Sequence, residues 1–476
     1  MLQVRASRHL WAVGFGFTAA VAARGCATGG PSSTGDDEPA RDAATPDGGP
    51  DPDGSPGHDA RPDAGVDPDG PVGPAPDGRP PPPDAALPPD AALPPDAGGG
   101  GGGLGPWTGH DDVRPSTQPP FGLPVSRVPQ LVVLGFDDNA YSGLEGTNGT
   151  GGMSWATDLL RNRTNPDGTH VHVSFYYTTL YIAQWGSESQ TYVKRAWHTA
   201  MVDGHEVGNH SHSHPHGDQY TTAQWRTEID TAAGWLTKPF DPNELTYQPD
   251  DSKGIGATLG QIYGWRTPFL EYGSNTFQEV NAHANFWYST SIEEGWEEDQ
   301  DGRDFYWPYT LDHGSPGHQV QVDWGSKPPI GTYPGLWEMP VYTVIVPPDA
   351  LCTQYGVPVG FRGRMQAIQS WFDPASGKIT GFDYNLWVSF RMTKAEFLAT
   401  LKYSLDQHLA GNRAPFIFGA HTDYYSSKYT AVPNATLQER QDAMRMFVDY
   451  AQSKNVVRVV SAKEALDWIR NPDPLN

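Results

Sequence analysis

From residue 130 onward, apolar runs of strand length alternate with helical stretches along most of the chain. The run QLVVLGF from Gln130 stops at a pair of carboxylates, Asp137 and Asp138, and reads as a buried strand. Trp155 to Asn162 predicts a helix, and Val171 to Tyr177, rich in β-branched and aromatic residues, a second strand. Gln190 to Val202 predicts a helix that ends at Gly204, followed by a short strand at Glu206 and Val207. Helical Thr222 to Leu236 precedes a strand over Gln261 to Trp265, which stops at Arg266, Thr267 and Pro268. Helical Lys394 to Ala410 precedes a strand over Pro415 to Gly419, which stops at His421; Leu437 to Ser453, Val456 to Val460 and a closing helix from Ala462 complete the series. Such alternation predicts a parallel α/β architecture. The stretch from about Glu293 to Pro334, dense in Gly, Pro, Asp and Trp, breaks it and reads as a long excursion over one end of the fold, either part of a groove or a plain insertion.

The residues with chemical potential fall at the strand ends. Asp137 with Asp138, His210, Arg266 and His421 each lie just past a predicted strand, and in a closed barrel those ends share one face. The tract GHEVGNHSHSHPHG places His210, His212, His214 and His216 at alternate positions, so that His210 with His214, or His212 with His216, can offer two imidazoles to one ion. A solvated tract that binds metal incidentally is the plainer alternative. One carboxylate and two imidazoles form the open three-ligand set of a catalytic metal, which Asp138, His210 and His214 supply. Asp137 beside them is placed as a base toward water, Arg266 as the guanidinium that keeps the base ionised, and His421 as the acid for a leaving group. Taken singly, adjacent Asp residues are often turn residues and a lone His is often structural; their joint order favours a site.

Composition then divides the chain. Arg5 and Arg8 precede an apolar run, Leu10 to Ala23, too short to span a bilayer but suited to a secretory signal, so residues 1–25 read as a signal peptide. Cys26 in AARGC resembles the lipidated cysteine of bacterial lipoproteins, although Arg24 departs from that pattern and leaves cleavage near Ala22 or Ala23 as the alternative. Residues 26–120 read as a disordered Pro/Asp/Ala/Gly-rich linker: PPDAAL starts at Pro82 and again at Pro88, six glycines run from Gly98, and little apolar surface offsets the entropy of ordering. Residues 121–476 read as the catalytic domain. The expected location is the cell envelope or surface, with contact to a membrane through a lipid on Cys26. About half of the acidic excess behind the net charge of −24 sits in the linker, and no cluster of Lys and Arg is present, which excludes nucleic acid as a partner. No protein partner is predicted. With Cys26 lipidated, Cys352 has no disulfide partner, so a core must hold the domain. The 16 tryptophans suit either a glycan-facing surface or a core.

These residues resemble the polysaccharide deacetylase family, carbohydrate esterase family four. GFDDN resembles its first motif, usually TFDDG; GHEVGNHSHSH matches the second, NHSxxH; WRTPF resembles the third, RxPY; GAHTD resembles the fifth. The resemblance implies Asp137 as general base, Asp138, His210 and His214 as ligands of one divalent metal, usually zinc, and His421 as general acid. It implies Arg266 as the residue that orients the base, and the N–H of Phe269, after Pro268, as an oxyanion donor. His212 and His216 are left as neighbours. NPDGTHVHVSFYY, YGSNTF, WPYTLDHG, GLWEMPVY and NRAPFIFGAH are similar to segments of the animal chitin deacetylase-like branch. That similarity implies a distorted (β/α) barrel, here preceded by the disordered linker, and removal of N-acetyl groups from a chitin-like or peptidoglycan-type polysaccharide. Two departures stand out. WYSTS puts Ser289 where the fourth motif carries an Asp that tunes the acid histidine, leaving Asp423 as a candidate, and Phe269 replaces a Tyr but keeps the N–H. Trp296, Trp307 and Trp337 either stack on sugar rings or belong to the core. The rival readings are an O-acetyl esterase on a xylan-like glycan, a catalytically inactive glycan-binding module, and a His-rich metal-sequestering lipoprotein.

Overall fold

The computed structural model describes residues 103–475 apart from Trp185 and Ser187. The signal peptide, Cys26 and the linker as far as residue 102 lie outside the described residues. The strands are β1 (Gln130–Asp137), β2 (Ser174–Tyr177), β3 (Glu206–Asn209), β4 (Ile262–Trp265), β5 (Tyr288–Ser289), β6 (Glu293–Glu294), β7 (Tyr309–Thr310), β8 (Trp337–Glu338), β9 (Val341–Ile345), β10 (Lys378–Thr380), β11 (Phe416–His421) and β12 (Val457–Val460). The helices are α1 (Gly152–Leu160), α2 (Leu180–Ala183), α3 (Gln190–Val202), α4 (Thr222–Thr237), α5 (Ser274–Ala282), α6 (Pro316–Asp323), α7 (Phe361–Ile368), α8 (Lys394–Ala410), α9 (Leu437–Gln452) and α10 (Ala462–Arg470).

Strands β11, β1, β2, β3, β4, β5 and β8 neighbour one another in that order and run parallel, with β7 antiparallel on β8 and β12 on the first half of β1. A smaller sheet has the order β10, β9, β6. After short bends β6 prolongs β5 and β9 prolongs β8, and the smaller sheet reaches back to β11, where Phe382 bridges Gly419 and the Gly419 N–H donates to the Gly381 carbonyl at 2.8 Å. The ring closes as a distorted α/β barrel. Its weak sector consists of strands two to five residues long.

The sequence pattern explains both layers of β1. Every residue from Gln130 to Asp137 is buried. Val132, Leu134 and Phe136 join the cluster that holds Trp197 of α3 and Phe447 of α9, while Leu131 and Val133 point the other way, into the cluster of Tyr176, Tyr288, Tyr342 and Ile417. Each such aliphatic side chain contributes about 1.5–3 kcal/mol by leaving water. Helices α4, α8, α9 and α10 begin with capping boxes, Thr221 with Gln224, Thr393 with Glu396, Thr436 with Glu439 and Ser461 with Glu464, which satisfy first-turn N–H groups and fix where each helix starts.

Two expectations are corrected, and one open alternative is decided for two tryptophans. The stretch from Glu293 to Pro334 is no excursion: it contains β6, β7 and α6 and helps close the barrel. Trp307 and Trp337 are core residues at 3% and 1% exposure, whereas Trp296 is half-buried against Trp324. Residues 103–120, given to the linker, lie along the domain. Trp107 stacks on Trp287 at 4.5 Å, the Thr310 N–H donates to Val113, and Asp111 receives the Trp337 indole N–H at 2.9 Å and the Arg470 guanidinium at 2.6 Å. The Asp111 and Arg470 side chains are both nearly buried. Breaking such a pair strands a buried charge, so Asp111→Ala is expected to lose about 3–5 kcal/mol in denaturant unfolding. A loss below about 1 kcal/mol, typical of exposed pairs, would show that this segment does not hold the domain.

Candidate active site

Strand ends bring the residues together. Asp137 closes β1 directly opposite His421, which closes β11; His210 follows β3 and Arg266 follows β4, where Asn209 pairs with Trp265. Asp137 is in phase with Leu131, Val133 and Gly135 and so falls on the interior side, whereas the backbone of Asp138 turns left-handed, with φ 62°. Asn139, Ser211 and His214 share that conformation, with φ of 68°, 70° and 52°. Each non-glycine residue there costs about 1–3 kcal/mol, which the surroundings must offset. Asn139 Nδ2 donates to the carbonyls of Phe136 and Tyr176, and the Trp197 indole donates to the Asn139 carbonyl. Glu228 accepts the N–H groups of His212 and Ser213, and Ser211 accepts that of His214. Hydrogen bonds therefore fix both strained loops, buried ones around Asn139 and partly exposed ones at Glu228.

Among the described residues, Asp138, His210 and His214 offer ligand atoms within 4.8 Å of one another, and all three are buried. His214 Nε2 lies 3.5 Å from Asp138 Oδ1, and the two imidazole centroids are 4.9 Å apart. Thr178 Oγ1 donates to Asp138 Oδ1 at 2.8 Å, and His210 Nδ1 donates to the Arg266 carbonyl at 2.8 Å, which sets the tautomer that turns a lone pair on Nε2 toward the cluster. A buried carboxylate with two imidazoles, oriented from behind in this way, fits a divalent transition metal. His212 and His216 turn elsewhere. His212 Nδ1 meets Thr179 Oγ1 at 2.9 Å, and exposed His216 stacks on Phe269 at 4.0 Å and reaches Glu271.

Around this cluster, Arg266 Nη1 donates to Asp137 Oδ1 at 2.9 Å, and Asp137 Oδ2 is 3.9 Å from His210 Nε2. Burial opposes the charge of Arg266, but the Asp137 carboxylate together with the Tyr176 and Tyr288 hydroxyls offsets it and holds the guanidinium above its usual pKa. The turn Pro268–Leu270 carries Phe269 at φ 56° with its ring 4.3 Å from that of His214. Because Pro268 has no N–H, Phe269 supplies the first one after Thr267.

His421 has a carboxylate partner that sequence reading missed. Asp383 Oδ1 meets His421 Nδ1 at 2.8 Å and its Oδ2 accepts the His421 N–H at 3.0 Å, with both side chains buried. Burial raises the Asp383 pKa, and His421 works against that rise. Asp423, the candidate from sequence, instead accepts the N–H groups of Ala140 and Tyr141, and burial followed by the charge of Asp138 pushes it up to about 8. Ser289 lies on β5 and donates to Ser291. No sequence signal marked Asp383: the strand before it, KIT, has three residues, and Gly381 and Phe382 separate it from the Asp.

Known proteins bear on this geometry. The family model described as Polysaccharide deacetylase matches residues 129–250. Chitin deacetylase 8 of Bombyx mori is 25% identical over 370 residues, covering 76% of each chain. A Mycobacterium smegmatis crystal structure described as a polysaccharide deacetylase is 14% identical, covering 75% of this chain and 95% of that one, with a TM-score of 0.43. A family 4 carbohydrate esterase from Streptomyces lividans, in complex with acetate, is 20% identical over 34% of this chain and 64% of that one, with a TM-score of 0.22. Residues 129–250, the span that matches the polysaccharide deacetylase model, take in Asp137, Asp138, His210 and His214.

Proposed function

We propose that the chain is a metal-dependent hydrolase that removes N-acetyl groups from a chitin-like or peptidoglycan-type polysaccharide. The observation that carries this reading is the placement of Asp137, buried between Arg266 and the Asp138, His210 and His214 cluster and paired in register with His421. Asp138, His210 and His214 would hold the ion, zinc by its taste for imidazole with carboxylate in a small buried set. Bound there, a divalent metal supplies Lewis acidity, which makes water more acidic and polarises an acyl oxygen. Asp137 takes the proton from the attacking water, and Arg266 keeps its carboxylate ionised and aimed. The Phe269 N–H donates to the oxyanion as negative charge builds on the acyl oxygen. His421, held at Nδ1 by Asp383, gives a proton from Nε2 to the departing amine. Ser289 would argue for an inactive binding module only if His421 lacked a carboxylate, and Asp383 supplies one.

The test is acetate release from chitooligosaccharides and peptidoglycan fragments set beside acetylated xylan. Release from the N-acetylated glycans at a higher kcat/KM is expected. Release from xylan alone would make the enzyme an O-acetyl esterase.

A further inference from the structure

We infer that Tyr176 is a positioning residue for Arg266, and through it for Asp137, because it forms one face of an aromatic sandwich that fixes the guanidinium plane. The inference rests on the deacetylase reading above. Arg266 is wholly buried, with Nε donating to the Thr290 carbonyl, Nη2 to Thr290 Oγ1 and Nη1 to Asp137, each at 2.9–3.0 Å. These bonds hold the edges of the guanidinium. Two rings approach it, Tyr176 at 4.5 Å and Phe382 at 5.2 Å from Cζ to centroid. Ring faces attract the cation and, around a buried guanidinium, oppose tilting of the plane that carries the Nη1 bond to Asp137.

Tyr176 is itself held from below. Its hydroxyl meets that of Tyr288 at 2.8 Å, Tyr288 donates to Glu206 Oε1 at 2.7 Å, and Glu206 Oε2 accepts from Ser174 Oγ and from the Lys463 N–H. A chain of hydrogen bonds thus runs from the start of α10, at the barrel base, to the ring under Arg266. The strands make room for it. A Cβ on Gly208 would lie 2.3 Å from Tyr176 Cδ1, and one on Gly135 would lie 2.9 Å from Tyr176 Cε2 and 3.0 Å from Arg266 Nη1. Beside the second ring, a Cβ on Gly419 would lie 2.2 Å from Phe382 Cε1. Three strands give up a side chain at the level of the sandwich, and the glycine two residues before Asp137 is one of them.

The experiment compares Tyr176→Leu, Tyr176→Phe and Phe382→Leu with the wild type for kcat, KM, metal content and melting temperature. Because a small misplacement of a reacting group is costly, Tyr176→Leu is expected to lower kcat by about 10- to 100-fold with KM within about twofold and metal content unchanged. Tyr176→Phe, which keeps the ring, should stay within about threefold of the wild type. A kcat for Tyr176→Leu within about twofold of the wild type, or equal losses in Tyr176→Leu and Tyr176→Phe, would overturn the inference. If Tyr176→Leu does not fold, Phe382→Leu is read by the same criteria. A readout without turnover separates this inference from the deacetylase reading. The Arg266 Nε–H proton should be shifted upfield by the two rings in the NMR spectrum of the wild type and move downfield in the Leu variant. Absence of that shift overturns the sandwich, while absence of acetate release by a wild type that shows it overturns only the assigned reaction.

Discussion

Asp137→Asn is expected to release acetate about 10²–10⁴ times more slowly than the wild type while retaining its metal. The substitution keeps the shape of the side chain and leaves an amide oxygen for Arg266 Nη1, now 2.9 Å from Asp137 Oδ1, so the barrel has little reason to rearrange. What it removes is the lone pair that accepts a proton from water. Asp138, His210 and His214 are untouched, and their supports on Thr178 and the Arg266 carbonyl remain. Acetate assays alongside metal analysis check both halves. Wild-type turnover in the variant would remove Asp137 as the base, and loss of the metal would mean that Asp137 belongs to the ligand set.

The second large effect is expected at Asp383. Asp383 grips both the Nδ1 and the backbone N–H of His421. An amide has one oxygen for these two N–H groups and no negative charge, so Asp383→Asn no longer stabilises the doubly protonated ring that gives its Nε2 proton while Nδ1–H stays held. Acetate release is expected to fall by about 10²–10⁴, the range found when a buried carboxylate behind a catalytic imidazole is lost. Asp423→Asn, whose oxygen can still accept the N–H groups of Ala140 and Tyr141, is expected to cost less than about tenfold. The reverse order of losses would return the supporting role to Asp423.

Sequence reading succeeded where the chain declares its own boundaries. Helices α3 and α8 span the predicted residues, Gln190–Val202 and Lys394–Ala410, and the latter start is set by a box of Thr393 and Glu396. Strands β1 and β11 are long apolar runs, so the Asp and His at their ends could be placed on one face before any coordinates. Apart from β9, whose run VYTVI was passed over, the sector from β5 to β10 was lost for a physical reason: a strand of two or three residues has no period to detect, and its pairing is set by neighbours far away in sequence. Asp383 went unseen because it follows such a strand, and matching WYSTS to the fourth motif pointed to β5 while His421 stands on β11. Tryptophan density likewise carried no facing information: Trp337 serves the core through Asp111, a residue that composition alone had placed in the linker.

The central claim is that Asp138, His210 and His214 hold one metal ion on which deacetylation depends. It is tested most directly by acetate release from chitooligosaccharides before chelation, after chelation, and after return of one equivalent of zinc. Release is expected to be lost with the chelator and regained at one ion per chain. Undiminished release from metal-free protein would contradict it.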